Sequence, residues 1–283
     1  MKALAPVLAL LLAAPAAAPL AVVPAAAAPV FAPTRFSAEV VGSGPDVILI
    51  PGLTASKEVW RGTVAAVPGY RYHLIQVAGF AGAPARGNAQ GPVIVPLEEE
   101  IARYIRANGL KRPAVVGHSM GGTLALMLAS RHPDLVGRTM VVDMLPQPAQ
   151  LLGASATGIR QLADVLQSLS GTAFGQGLID EAVRMFGNEA PVNARSDRDV
   201  VARAAHELAL VDLTPELPRI RPPLTVVYAS PDSSLAATAD GVYRRAYARG
   251  PAARLVRIDR SSHMIMADQP ARFADELRRF LRD

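Results

Sequence analysis

Ser119 and His263 have the residue types and local settings that nucleophilic catalysis requires, although they lie far apart in the chain. A serine hydroxyl attacks poorly at neutral pH unless a base is within hydrogen-bond reach and an acceptor orients that base. Ser119 sits in Gly117-His118-Ser119-Met120-Gly121, a G-x-S-x-G pattern. The run Ala114-Val115-Val116 enters it, and the apolar, helix-forming run Thr123-Leu124-Ala125 leaves it. Such a chain must turn from strand to helix within very few residues. That turn forces the serine into a strained backbone conformation, and a Cβ on either flank would strike neighbouring chain, hence the glycines. The hydroxyl is lifted clear of the backbone, with the free N–H groups of the next helix aimed back at it.

The sequence holds five histidines. His263 follows the last expected strand, in a loop where a parallel sheet assembles its sites, and is read as the base. His118 points elsewhere on the turn and is read as local packing, His73 is read as structural, and His132 as a helix-end charge. His206 reads as solvated, with a substrate-facing role as the alternative. Two carboxylates end strands: Asp232 and Asp143. Asp232 is favoured as the orienting acid, because strand–Asp–helix–strand–His keeps it beside the histidine loop; Asp143 is the alternative. Either would fix the imidazole tautomer and stabilise the imidazolium. The oxyanion donors are expected to be the backbone N–H groups of Met120 and, from the turn Pro51-Gly52-Leu53, of Leu53.

Around these residues the pattern reads as α/β. Strands are expected at 35–41, 46–50, 72–77, 114–118, 139–143, 224–229 and 254–258. Helices are expected at 56–67, 97–108, 120–130, 236–248 and 270–281. Glu98, Glu99 and Glu100 are placed in the first turn of the 97–108 helix, favourable to its dipole. Alternation of this kind argues for a mostly parallel central sheet flanked by helices. It is interrupted by a strandless stretch with helix-like segments at 159–168, 177–186, 197–208 and 215–220. The expected organisation is a core of 34–145 and 222–283 with a helical lid, 146–221, inserted over the sheet's C-terminal edge.

Residues 1–28 read as a secretory signal peptide: Lys2, an apolar Leu/Ala run, then an Ala/Pro-rich tail with small residues at Ala25-Ala26-Ala27. Pro15, Pro19 and Pro24 spoil this segment as a spanning helix, so export with no membrane span after its removal is the expectation. The chain has no cysteine, which excludes disulfides and a Cys-linked lipid anchor. The net charge of +5 comes from arginines spread along helices, with no basic block interleaved with aromatics, so a nucleic-acid partner is not expected.

Together, Ile50-Pro51-Gly52-Leu53, Gly79-Phe80-Ala81-Gly82, the Gly117–Gly122 turn, Ser230-Pro231-Asp232 and Ser262-His263-Met264 resemble the motifs of the α/β-hydrolase superfamily, over essentially the whole chain beyond the leader. The resemblance implies a lid that shapes the substrate pocket and no cofactor; no metal site is expected either. A Ser at the elbow, where Asp would stand in the dehalogenase and epoxide-hydrolase branches, argues against those chemistries. The expected function is an exported serine hydrolase that cleaves a small-molecule carboxylic ester through an acyl-enzyme. Alternatives on the same residues are hydrolysis of a C–C, lactone or amide bond, or acyl transfer; a catalytically silent ligand-binding protein is the non-enzymatic reading. Phe174, Leu178, Met185 and Phe186 in the lid hint at an apolar acyl group.

Overall fold

A computed structural model describes residues 31–152 and 195–282. The expected leader 1–28, the lid helices 159–168 and 177–186, and Phe174, Leu178, Met185 and Phe186 lie outside the described residues.

The strands are β1 (Phe36–Gly42), β2 (Asp46–Ile50), β3 (Arg71–Val77), β4 (Ala114–His118), β5 (Arg138–Val142), β6 (Leu224–Ser230) and β7 (Arg254–Asp259). They form one sheet in the order β1-β3-β2-β4-β5-β6-β7, in which only β1 runs antiparallel. Strand β4 is buried along its whole length and sits at the centre, as expected of a β-branched run covered on both faces.

Helices cover both faces. On one face lie α2 (Ile94–Ala107), α3 (Met120–Arg131) and α5 (Ala236–Ala246), with α4 (Arg198–Leu210) packed against α2; on the other lie α1 (Arg61–Ala66) and α6 (Pro270–Arg282). Trp60 is fully buried against Phe273 of α6, with ring centroids 6.2 Å apart. Helix α4 falls within the expected lid. It packs Val200, Val201, Ala204 and Leu208 into the same apolar cluster as α2 and α3.

The start of α2 corrects the sequence reading. The helix begins at Ile94, about one turn earlier than expected, so the three glutamates are not in its first turn. Its free N-terminal N–H groups at Val93 and Ile94 are instead met by the Glu207 carboxylate of α4, at 2.7 and 2.9 Å. A carboxylate there satisfies orphan donors and opposes the positive end of the helix dipole.

One consequence is that Glu98 points inward and is fully buried. Burial pushes its carboxyl up to about 8, with the nearby Glu99 charge adding to the rise and Arg131 opposing it. A folded-state value above the unfolded one, 4.5, means that the native chain holds a proton the unfolded chain releases. Stability therefore falls as pH rises through the window from about 4.5 to about 8. Between pH 6 and 9 this group should remove about 3 kcal/mol, or roughly 5–10 °C of melting temperature in a chain of this size. Glu98→Gln should lose that part of the pH dependence. Thermal melts of both proteins across that range check it; parallel curves would refute the assignment.

Candidate active site

Position in the sheet brings the expected residues together. Strands β4 and β5 pair with His118 opposite Val142. Ser119 and Asp143 are the next residues of their strands, so they emerge side by side from the sheet's C-terminal edge. The Ser119 N–H donates to the Val142 carbonyl at 2.9 Å, and the Asp143 N–H to the Val227 carbonyl of β6 at 2.8 Å. Both residues then leave the sheet with left-handed backbones: φ is +53° at Ser119 and +50° at Asp143. For non-glycine residues this costs of order 1–3 kcal/mol each and persists only where the surroundings impose it.

The surroundings at Ser119 are tight. A Cβ at Gly117 would fall onto the backbone of Gly121, and one at Gly121 onto the carbonyl of Ile50. Strand β4, helix α3 and the end of β2 thus touch through bare backbone, and the two glycines of the motif are sterically required. Ser119 caps α3, its carbonyl accepting the N–H groups of Gly122 at 2.7 Å and Thr123 at 3.2 Å. The Met120 N–H is the first of the helix and has no intrahelical acceptor.

After β2, Gly52-Leu53-Thr54-Ala55 makes a turn closed by the Ala55 N–H on the Gly52 carbonyl at 3.2 Å, with Thr54 at φ +62°. A Cβ on Gly52 would stand 3.1 Å from the Ser119 Cβ, so this turn borders the serine directly. Ser196, at the start of the segment leading into α4, accepts from the Ala81 N–H at 2.9 Å and donates to the Thr54 carbonyl at 3.3 Å, tying that segment to the turn.

His263 arrives on the loop after β7. Its backbone carbonyl accepts from His118 Nε2 at 2.9 Å, and the two rings pack with centroids 4.7 Å apart. A carbonyl can only accept, so His118 carries its proton on Nε2. Burial, with the nearby His263 charge adding, pushes its pKa down to about 3, so the ring is neutral. His118 therefore supports the histidine loop, a task that sequence reasoning described only as local packing.

The carboxylate on His263 is Asp143, and the preference for Asp232 is corrected. Asp143 Oδ2 lies 2.8 Å from His263 Nδ1. Its Oδ1 accepts the Ala229 N–H at 3.0 Å and the Tyr243 hydroxyl at 2.9 Å. Asp143 thus leans across β6 toward the loop beyond β7, which is how an acid two strands away reaches the histidine. Burial works to raise its pKa, but the bonds from His263, Ala229 and Tyr243 outweigh that and hold the group below the ordinary carboxylate value. Asp232 is exposed; its side chain accepts the Ser234 N–H at 2.5 Å and caps the short turn Ser233–Leu235. It stands two residues past the end of β6, where the chain has already turned outward.

The other histidines lie elsewhere. His73 is buried between Tyr104 and Asp46, at 2.8 and 2.9 Å. His206 lies in α4. His132, one residue past α3, faces Glu98 and Glu99 with Nε2 3.4 Å from each. These three side chains form the one cluster among the described residues that could present three ligand atoms to a cation. Arg106, however, lies 3.2 Å from His132 Nδ1 and can only donate there. The neutral ring then carries its proton on Nε2, the atom a cation would need.

The model of the alpha/beta hydrolase family matches residues 47–276. The pimeloyl-acyl-carrier-protein methyl ester esterase of Aeromonas hydrophila is 29% identical over 265 residues, covering 87% of this chain and 98% of that protein. An esterase structure from Thermogutta terrifontis superposes with a TM-score of 0.69 at 21% identity, covering 87% of this chain and 93% of the other. The enol-lactonase of Burkholderia xenovorans gives 0.63 at 22%, covering 88% and 97%. With the family match running from β2 into α6, and with the sheet order and strand-to-helix turn described above, this chain belongs to the alpha/beta hydrolase family.

Proposed function

We propose that the protein is an exported serine esterase. The observation that carries the reading is His263, held through Nδ1 by the buried Asp143 at 2.8 Å and packed on His118, the residue before Ser119 at its strained turn. Ser119 Oγ attacks the ester carbonyl carbon while His263 Nε2 takes its proton. Asp143 keeps the Nδ1–H tautomer in place and balances the imidazolium. The Leu53 and Met120 N–H groups receive the oxyanion of the tetrahedral intermediate; losing one such donor typically costs on the order of a hundredfold in rate. His263 then protonates the departing alkoxide, leaving an acyl-Ser119 ester. A water deprotonated by His263 cleaves that ester and frees the acid. The substrate class is a small-molecule carboxylic ester, in line with the methyl ester named for the Aeromonas relative. Export rests on the leader read at residues 1–28.

A fluorophosphonate probe followed by peptide mapping, run beside a panel of esters, lactones and amides, tests this reading. The expected result is one labelled residue, Ser119, with esters turned over fastest. Labelling without turnover of any panel member would favour the silent binding protein, and preference for lactones or amides would move the substrate class.

A further inference from the structure

We propose that Tyr243 is a positioning residue for the Asp143–His263 pair, a role that rests on the esterase reading above. Its hydroxyl donates to Asp143 Oδ1 at 2.9 Å, on the oxygen opposite the one facing His263. A carboxylate bonded through one oxygen only can swing about its Cβ–Cγ axis. With the Tyr243 hydroxyl and the Ala229 N–H both on Oδ1, that rotation is fixed, and Oδ2 is aimed at Nδ1.

Tyr243 is itself immobilised. It is buried, and its ring stacks on Tyr228 with centroids 4.2 Å apart and planes 15° from parallel. The Tyr228 hydroxyl donates to Asp240 at 2.7 Å, and Asp240 pairs with Arg257 of β7 at 2.5 Å. A surface ion pair thus pins the ring that pins Tyr243. The titratable groups facing Asp143 are His263 from the loop after β7, Tyr243 and Tyr247 from the α5 end, and His118 from β4. Burial raises both tyrosines well above their ordinary range and leaves His118 neutral.

Donation from Tyr243 draws negative charge from the carboxylate. Removing it makes Asp143 a stronger acceptor for Nδ1–H and raises the basicity of His263. Tyr243→Phe should therefore lower kcat about tenfold, as expected for losing one hydrogen bond to a charged group, with KM nearly unchanged. The acid limb of kcat/KM should move to higher pH. The matched control is Tyr247→Phe. Tyr247, just past the end of the same helix, is equally buried, but its hydroxyl donates to the Met144 carbonyl at 2.7 Å instead of to the carboxylate. This variant should lose stability without moving the limb. Replacing residue 243 by 3-fluorotyrosine, a stronger donor of nearly the same shape, should shift the limb the opposite way and keeps the test open should Tyr243→Phe not fold. Rates are taken per active site, counted with the fluorophosphonate, on full-length protein whose wild-type turnover has been established; absent wild-type turnover would defeat the esterase reading instead. The proposal is overturned if the limb stays in place in the foldable variants at 243, or if Tyr247→Phe moves it equally.

Discussion

Asp143→Asn should cut kcat on the order of 10⁴-fold, while Asp232→Asn leaves it within about twofold. The two changes are chemically identical, and only the setting differs. At Asp143 the remaining amide oxygen can still accept from Tyr243 and Ala229, so the local fold is kept. The amide nitrogen then faces His263 Nδ1 at the place where Oδ2 stood 2.8 Å away. It can only donate, so the ring must accept on Nδ1 and carry its proton on Nε2. A ring in that tautomer cannot take the Ser119 proton. At the exposed Asp232, asparagine still accepts the Ser234 N–H and caps the following turn. Steady-state kinetics on one aryl ester decides the matter. A large loss at 232 with little loss at 143 would reverse the assignment of the acid.

Ser119→Ala should have the largest effect, a loss on the order of 10⁶-fold in kcat with complete loss of fluorophosphonate labelling. Turnover on the order of 10³ above the uncatalysed reaction should remain, because the Leu53 and Met120 N–H groups still receive an oxyanion formed by attack of water. The fold should survive. Alanine adopts φ +53° at no greater steric cost than serine, and the backbone bonds that fix the turn, from Ser119 N–H to Val142 and from Gly122 N–H to the carbonyl at 119, do not use the side chain. Unchanged thermal melting beside lost activity separates a chemical role from a structural one. Wild-type rates in Ser119→Ala would end the serine-hydrolase reading.

Several features depend only on neighbours in sequence and were legible there. The strand-to-helix turn is one: Gly117 and Gly121 are fixed by clashes within a few residues, so the motif carries its own explanation. The burial of β4 follows from its apolar run in the same way. That His263 belongs at the Ser119 edge followed from the rule that loops after parallel strands gather at one end of a sheet. Other features depend on which elements become neighbours. Asp143 and Asp232 look alike in sequence, each at a strand end. The choice between them rests on the positive φ that turns Asp143 across β6 and on the outward course of the chain beyond Ser230. Nothing in the amphipathic pattern of α5 marks Tyr243, because its partner is 100 residues away. The same holds for Glu207, which caps α2 from 113 residues further on and leaves Glu98 to the core.

The sequence alone determined the alternation of strands and helices, the tight turn at Ser119 and the end of the sheet to which His263 comes, because each of these follows from local sterics and periodicity. Only the tertiary structure decided which carboxylate meets His263, what holds that carboxylate still and which glutamate is buried, because a hydrogen bond is set by proximity in space, and proximity between distant residues is a property of the packed sheet and helices as a whole.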